Sequence, residues 1–411
     1  MPVDRLSPVL SADLADRQAR GLLKGAESVV TEVVPARGEH GPRYRLAGEG
    51  DRPFLKMNSN SYLGMSLRPE VIEAEERACR RYGAGPGAVR FISGTTKAHI
   101  ELEERLAAFH GREAAMLFSS AYATVMGTLV PLCTADTALV SDELNHNCII
   151  NAMRLARPKE KYVYRHLDVA ECDARLAEAA AAGARRAIVV TDGIFSMRGS
   201  HAPMKELTAT AARHDAAFPE NVVVMMDDSH GVGAFGATGR GTEEKTGASG
   251  IDLLVATLGK ALGVNGGYVA TRREIVQFLR ESSPFYIYSN PITPAEAAAA
   301  LAALEILDSA RGRALLDHLR AMTARFEAGL LSLGYETLPG EHPVKPLLVR
   351  DTDKTAALVK HLRAAGVLAT GLNYPVVPKG DESIRFQISA DHTPADIDFV
   401  LDVLASLPGR G

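Results

Sequence analysis

The chain has 411 residues, of which 46% are hydrophobic and 23% are charged, and its formal net charge at pH 7 is −4. This composition is typical of a globular protein of two or three domains, and it excludes collagen-like, low-complexity and disulfide-rich classes. Because the chain carries no overall basic field, we expect neither nucleic acid nor a membrane as a partner. The four cysteines form no CxxC pair and have no metal-ligand spacing. The sequence therefore predicts a cytoplasmic protein with reduced thiols and no metal site.

Residues 1–53 are predicted to form an N-terminal arm, a helix followed by turns, because this segment is polar and ends in the stretch GEHGPRYRLAGEGDRP. Residues 54–295 alternate short apolar runs with amphipathic helical segments, a pattern typical of a mostly parallel sheet with helices on both faces. We expect this large α/β domain to contain strands at Ala114–Phe118, Thr137–Val140, Ala187–Thr191, Val222–Met226, Leu253–Leu258 and Gly267–Thr271.

Residues 296–411 are predicted to form a smaller α+β domain. One helical run of more than thirty residues follows Pro294, and a second helix closes the chain. Between them, Val344–Val349 and Ile384–Ile388 have the apolar and β-branched composition of strands.

Lys260 stands directly after an apolar strand, in the small-residue turn Thr257-Leu258-Gly259-Lys260-Ala261. A lysine in apolar surroundings has a lowered pKa and can act as an amine nucleophile that forms a Schiff base. The alternative is a surface lysine that happens to follow a buried strand, and these residues alone leave both interpretations open.

Asp227 and His230 lie at the end of another apolar run, in the segment Val222–Gly231. A carboxylate at the carboxyl end of a parallel strand is where open α/β sheets bind ligands. There it could keep the pyridine nitrogen of pyridoxal 5′-phosphate (PLP) protonated, as the cofactor requires to act as an electron sink. The rival interpretation is a metal site, but no third ligand lies at a helpful spacing.

Three further polar segments follow predicted strands. Small and hydroxylic residues at Ser119–Thr124 could place helix N–H groups around a phosphate, although such residues also cap helices routinely. His146 lies in the polar loop Ser141–Asn147 and is a candidate to stack on a flat ring, because the chain contains no Trp. Ser196 follows the strand that ends near Thr191.

These clusters, in this order, resemble the motifs of the α-oxoamine synthases, a family of fold-type I PLP-dependent enzymes. Within it the chain is most similar to the group of the 2-amino-3-ketobutyrate CoA ligases and 8-amino-7-oxononanoate synthases. The resemblance runs from about Phe54 to the C-terminal helix. It implies a seven-stranded, mostly parallel sheet, with additional matching motifs at Asn58–Gly64, Val89–Thr95, Tyr286–Asn290 and Ile384–Ala390.

The resemblance also implies a role for each matching residue. Lys260 would carry PLP as a Schiff base and Asp227 would pair with its pyridine nitrogen. Other positions implied to contact PLP are Ser196 and His230 at the phenolic oxygen, His146 on the ring face, and Thr257 with the N–H groups of Ala121 and Tyr122 at the phosphate. Ser289 and Asn290 would reach the phosphate in the neighbouring subunit of a homodimer, and Asn60 and Arg385 would bind the substrate.

The implied reaction is the condensation of a small, glycine-like amino acid with an acyl thioester, an acyl-CoA, with or without loss of CO₂. A short acyl group is expected from the resemblance to the ligase group. Alternatives are a different amino acid, a carrier-protein thioester or an unusual electrophile, an aminotransferase of the same fold, and a non-enzymatic PLP-binding protein.

Three segments depart from the family pattern. Arg198 and Ser200 stand where most members have acidic residues, Val125 stands where Asn is common, and the segment Gly263–Gly267 is one residue shorter. None of these removes an expected PLP contact, but each could reshape a substrate pocket.

Overall fold

The structure is a computed structural model that describes residues 2–20, 22–23, 25–374 and 377–407. Met1 and 408–411, at the outer ends of the predicted arm and small domain, lie outside the described residues. The strands are β1 Val30–Val34, β2 Arg43–Leu46, β3 Pro53–Lys56, β4 Ala114–Phe118, β5 Thr137–Asp142, β6 Glu160–Tyr164, β7 Arg186–Asp192, β8 Val222–Asp227, β9 Leu253–Thr257, β10 Gly267–Thr271, β11 Glu336–Thr337, β12 Val344–Leu348, β13 Val367–Leu368, β14 Thr370–Leu372 and β15 Ser383–Gln387.

The helices begin and end close to capping residues and prolines. They are α1 Leu6–Ala19, α2 Pro69–Tyr82, α3 Lys97–Phe109, α4 Ala121–Leu132, α5 Asn147–Ala156, α6 Val169–Ala181, α7 Met204–His214, α8 Thr242–Thr246, α9 Arg273–Ser282, α10 Pro284–Ile287, α11 Pro294–Leu307, α12 Ala310–Ser332, α13 Thr352–Ala364 and α14 Pro394–Ala405.

A seven-stranded sheet in the order β4-β10-β9-β8-β7-β5-β6 forms the centre of the molecule. Every neighbouring pair is parallel except those of β10, which runs antiparallel to β4 and β9. This confirms the predicted mostly parallel sheet and all six predicted strands. The edge strand β6 was not predicted, because it begins with charged Glu160 and Lys161 and lacks the apolar run of a central strand.

Both faces of this sheet are buried, as its apolar strands require. Alternate residues enter two hydrophobic clusters, so that Val189 of β7 lies in one and Val190 lies in the other. Helices α4, α5 and α9 contribute to the second cluster, and α3, α6, α7 and α11 contribute to the first. The sheet is therefore rigid, and its strand ends are fixed positions for functional side chains.

The N-terminal segment differs from the predicted arm. Helix α1 confirms the helical part, but the stretch expected to form turns contains strands β1 and β2. These pair with β3, which in turn pairs in parallel with β13, in the order β1-β2-β3-β13. Cross-strand pairing of Tyr44 with Phe54 stabilises β2 although the flanking arginines gave it a polar composition.

The predicted helical run after Pro294 is confirmed, except that a break at 308–309 divides it into two helices, α11 and α12. Ser309 caps the second helix by accepting a hydrogen bond from the Gly312 N–H at 3.3 Å, and Asp308 is held by Arg105 and Arg240 at 2.6 and 3.0 Å. The predicted small-domain strands are confirmed as β12 and β15, and the closing helix as α14. The division at residue 295 stays a prediction; it falls in the first turn of α11, which packs on α2 and α3.

A buried ionic cluster anchors the sequence motif around Arg90. The Glu103 carboxylate accepts hydrogen bonds from Arg90 at 3.1 and 3.2 Å, from Arg280 at 2.8 Å and from the Leu117 N–H at 3.0 Å. Arg90 and Glu103 are both buried, so the cluster links the π-helical turn at Arg90–Gly94 to α3, α9 and β4.

Glu103→Leu is expected to lower the free energy of unfolding by about 3 kcal/mol, because it leaves a buried arginine without its counter-charge. Urea denaturation followed by circular dichroism measures this change. The control is Glu104→Leu at the next, exposed position of α3, with an expected change below about 0.5 kcal/mol. Equal losses in the two variants would contradict the assignment.

Candidate active site

The polar clusters predicted from the sequence meet at the carboxyl edge of the sheet. Asp227 ends β8, Lys260 follows β9, and His146 lies in the loop after β5. The strand between β8 and β5 ends in Asp192, whose register partner is Asp227. Four consecutive sheet positions therefore direct two acids, an amine and an imidazole into one site.

Lys260 lies within electrostatic reach of Asp227, Asp192 and Arg385. Burial lowers the pKa of its amine below the usual value, while the two carboxylates oppose that shift. The amine is thus less firmly protonated than a surface lysine. This agrees with the predicted nucleophile and argues against a solvated surface lysine.

Asp227 and Asp192 form a pair of buried carboxylates. Asp227 accepts a hydrogen bond from the Ser229 N–H at 3.0 Å, and Asp192 accepts one from the His146 N–H at 2.9 Å. Burial and the adjacent Asp227 raise the pKa of Asp192 well above its usual value. Two buried carboxylates that repel each other titrate as a coupled pair. The sequence analysis gave Asp192 no role, although it follows a buried strand just as Asp227 does.

His146 is the N-cap residue of α5. Its Nδ1 accepts a hydrogen bond from the Cys148 backbone N–H at 3.2 Å and lies 2.9 Å from the Cys148 Sγ. An accepting Nδ1 carries no proton, so the neutral ring is protonated at Nε2. Burial lowers the pKa of His146, and Lys260 lowers it further, whereas Asp227 raises it.

Cys148 was not predicted to belong to the site, because a single buried cysteine in a helix has no distinguishing sequence signal. Its thiol lies 3.8 Å from the Asp227 Oδ2 as well as beside His146. Burial and the nearby carboxylates raise the pKa of Cys148, so the thiol stays protonated and bridges the two predicted cofactor ligands as a neutral group.

His230 lies on the other side of the site and is buried. Its Nδ1 is 2.7 Å from the hydroxyl oxygen of Tyr62, and its carbonyl oxygen is 2.9 Å from the His342 Nε2. Burial and the cations Lys260 and Arg385 hold the pKa of His230 well below its usual value. Tyr62 thus contacts the ring of a neutral His230 and His342 contacts its backbone carbonyl, although the sequence analysis gave neither side chain a role.

A cradle for an anion lies where β4 and β9 end and the antiparallel β10 begins. Gly267 pairs with Phe118 on one side and with Thr257 on the other, and a Cβ on Gly267 would lie 2.4 Å from the Ala121 nitrogen. The first N–H groups of a helix have no partner within the helix. Ser120 accepts from the Ala123 N–H at 3.1 Å, which leaves those of Ala121 and Tyr122 for a ligand.

The Thr257 hydroxyl flanks this cradle. It donates to the Gly266 carbonyl at 3.2 Å and accepts from the Gly259 N–H at 3.0 Å. The phosphate of PLP fits here on chemical grounds, because helix N–H groups and a hydroxyl bind phosphate. The cradle and Asp227 lie on adjacent parts of one strand edge, as a ligand with a phosphate and a ring nitrogen requires.

Arg385 reaches the site from β15 in the C-terminal part of the chain. Its Nη2 donates to the Asn60 Oδ1 at 3.2 Å, so the two predicted substrate residues are in contact. The Arg385 Nε is buried and has no hydrogen-bond partner among the residues that the structure describes. Such an unpaired donor is what a bound carboxylate would satisfy.

Three remaining predicted residues lie apart from these contacts. Ser196 follows β7 and lines a cavity together with His146. Asn290 is exposed, and Ser289 donates to its carbonyl oxygen at 3.4 Å. Neither Ser289 nor Asn290 has a described contact with Lys260, Asp227 or His230 within one chain.

The departures from the family pattern have local structural partners. Arg198 forms an ion pair with Asp381 at 3.2 Å, and the Ser200 hydroxyl lies 3.2 Å from the His166 Nε2. Val125 is fully buried in the cluster beneath α4. The short segment before β10 closes as a turn in which the Val264 N–H donates to the Leu258 carbonyl at 3.1 Å.

Two observations concern the metal site and the membrane partner that the sequence analysis did not expect. Within the described part of the chain, no group of three His, Cys, Asp or Glu side chains is placed to hold a metal ion. None of the described helices is both long enough and apolar enough to cross a membrane.

Comparison with known proteins shows which family the chain belongs to. Residues 52–404 match the family model for class I and II aminotransferases. The chain is 38% identical to the 2-amino-3-ketobutyrate coenzyme A ligase of Salmonella typhimurium, over 97% of this chain and 96% of that protein. It is 37% identical to the 8-amino-7-oxononanoate synthase of Thermosipho melanesiensis, over 85% and 87% of the two chains.

This chain belongs to the α-oxoamine synthase family. Solved structures agree: it superposes on a serine palmitoyltransferase from Sphingomonas wittichii with a TM-score of 0.87, 25% identity and coverage of 98% and 97%. A serine palmitoyltransferase from S. paucimobilis with a bound PLP–myriocin adduct gives a TM-score of 0.85 at 25% identity, with coverage of 98% and 96%. The α-oxoamine synthase described here is therefore a fold-type I PLP-dependent C-acyltransferase that uses an amino acid and an acyl thioester.

Asp227→Asn is expected to lower turnover at least about a hundredfold, because an amide cannot hold the PLP nitrogen in its protonated form. Steady-state rates with PLP at saturation measure the loss, and thermal melting shows that the fold is kept. Asp136→Asn, at an exposed position before β5, is the control and should retain full activity. Substantial activity in purified Asp227→Asn would refute the role of this carboxylate.

Proposed function

We propose that this α-oxoamine synthase condenses glycine, or a similarly small amino acid, with an acyl-CoA. The supporting observation is that Arg385, with an unpaired Nε and held by Asn60, lies within electrostatic reach of the Lys260 amine. A carboxylate bound at Arg385 would therefore bring the α-carbon of an amino acid to that amine. The similarity to the ligases supports glycine and CoA over other substrates.

The residues proposed to hold PLP are those of the strand-end site. Lys260 would bond its aldehyde carbon, Asp227 its ring nitrogen, and Ser196 and His230 its phenolic oxygen. His146 would cover the ring face, and Thr257 with the N–H groups of Ala121 and Tyr122 would bind the phosphate. When bound, PLP supplies an electron sink for the pair of electrons left at the α-carbon after proton removal.

Lys260 is the proposed base for the α-carbon proton. Its Nζ can accept this proton because burial lowers its pKa, and the Asp227 carboxylate stabilises the resulting ammonium. The Nε2–H of His146 is the proposed donor to the oxygen of the thioester carbonyl when the new carbon–carbon bond forms. The Cys148 N–H fixes that proton at Nε2.

Arg385 is the proposed site for the amino-acid carboxylate. A guanidinium pairs with a carboxylate through two parallel hydrogen bonds, which fixes the orientation of the substrate as well as its position. Burial of Arg385 strengthens this pairing because little water competes.

The reaction is tested by mixing the PLP-loaded protein with each of several amino acids and an acyl-CoA, and measuring the release of free CoA with a thiol reagent. We expect release only when glycine or another small amino acid is present. Exchange of the glycine α-hydrogen in D₂O, followed by NMR, should be lost in Arg385→Ala and kept in Arg325→Ala, which removes an arginine of α12 that pairs with Asp398 outside the site.

Release of a free thiol only from a carrier-protein thioester, and not from any acyl-CoA, would favour that alternative. Transfer of the amino group to a keto acid without any acyl donor would show an aminotransferase, and no response to any pair would overturn the proposal.

We also propose that the protein acts as a homodimer with shared sites. Ser289 and Asn290 match positions that contact PLP in this family, yet within one chain they lie apart from the Lys260 cluster. Tyr288 beside them is 79% exposed, and a second copy would cover it. The four free cysteines support a cytoplasmic location, where thiols stay reduced.

Mixed dimers test the shared site. Lys260→Ala and a Ser289→Ala/Asn290→Ala double variant are each expected to be nearly inactive. When they are unfolded and refolded together, half of the dimers are mixed and each mixed dimer contains one intact site, so about a quarter of the native activity should return. If Lys260, Ser289 and Asn290 act within one chain, no activity returns.

A further inference from the structure

A cavity of about 540 Å³ opens beside the predicted PLP site. One wall carries His146 and Ser196, and the opposite wall comes from β12 and the segment before β15, including Leu348 and Val377. The cavity therefore begins where the acyl carbon must meet the amino acid and extends away between the two halves of the chain. The proposed function does not account for its size.

We propose that this cavity binds the hydrocarbon chain of the acyl thioester, and that the enzyme prefers a neutral, medium-length acyl group, of about six to ten carbons, over acetyl. This inference rests on the proposed condensation and names its acyl donor. It replaces the short acyl group that the resemblance implies.

The walls of the cavity are the first argument. Apolar side chains line it from both sides, among them Leu144, Phe195, Met197, Leu338 and Leu348. Leu144 and Met197 are 43% and 38% exposed, so a hydrocarbon chain bound in the cavity would cover apolar surface on both. A two-carbon acyl group would leave most of this surface in contact with water.

The charges at the rim are the second argument. Arg198 is paired with Asp381 at 3.2 Å, and Arg350 with Glu336 at 2.5 and 3.1 Å. The remaining acid, Glu143, accepts a hydrogen bond from the His166 N–H at 2.9 Å. Both rim arginines thus have carboxylate partners. An acyl chain that ends in a carboxylate would compete with these partners and would also be repelled by Glu143.

Arg198, which stands where most family members have an acidic residue, has a structural role at the cavity rim. It lies on the loop after β7, whereas Asp381 belongs to the C-terminal part, so their pair joins the two walls at the rim. The family's usual acid at this position would repel Asp381. The exchange of charge therefore allows the two walls to pair at the rim of the cavity.

The experiment compares kcat/KM for acetyl-, butyryl-, hexanoyl-, octanoyl- and decanoyl-CoA at saturating glycine with the PLP-loaded enzyme. A fully buried methylene contributes about fourfold, so burial of half of the six added methylenes should favour octanoyl- over acetyl-CoA by about sixtyfold. Suberyl-CoA, which has the same length but ends in a carboxylate, should react at least about tenfold more slowly than octanoyl-CoA.

Leu348→Trp fills the cavity from the wall opposite His146. We expect it to lower kcat/KM for octanoyl-CoA at least about tenfold and to change that for acetyl-CoA less than about twofold, a split that general misfolding would not produce. Leu338→Trp provides a second filling variant. Leu331→Trp, at a 57% exposed position outside the cavity, is the matched control and should change neither value.

A preference for acetyl-CoA, or a profile that is flat with chain length, would overturn the inference while leaving the condensation intact. A preference for suberyl-CoA would overturn the neutral chain. If no thioester of any length releases CoA with any amino acid, the proposed function fails, and this outcome is distinct from a wrong chain length.

Discussion

A lysine amine surrounded by protein is costly unless carboxylates lie nearby, and the placement of Lys260 satisfies this constraint. Strands β7 and β8 end in register, so Asp192 and Asp227 lie side by side where β9 delivers the lysine. Burial and mutual repulsion raise the pKa of Asp192, which reduces the negative charge that the pair carries beside the amine. The cluster is thus nearly neutral while its amine stays reactive, and the histidines around it remain uncharged.

The positions of these groups depend on a sheet that is buried on both faces. Strand β10 is antiparallel to both of its neighbours. Because residue 267 is glycine, the strand can pass close to the start of α4 without a steric clash. The same close approach leaves two helix N–H groups and the Thr257 hydroxyl around one small space. A larger residue at 267 would fill the cradle and push the helix from the sheet.

Much of this arrangement could be predicted from the sequence, because buried strands are continuous apolar runs and the polar residues that follow them share one edge. Lys260, Asp227, His146 and His230 were found in this way. Cys148 and His342 were not, since their roles depend on contacts between distant segments. Strand β2 has a charged composition and forms only because partners cover it, and the helix break at Asp308 depends on arginines from two other elements. A single chain also gives no view of what Ser289 and Asn290 contact in a dimer.

The pairing of β3 with β13 joins residues 53–56 to residues 367–368 in one small sheet. During synthesis one edge of β3 therefore stays unpaired until almost the entire chain has emerged from the ribosome. Closing so long a loop is slow and leaves that edge free to pair with other chains in the meantime. Folding speed and aggregation of this enzyme should consequently depend on the last fifty residues, although most of the proposed PLP ligands come from the central sheet.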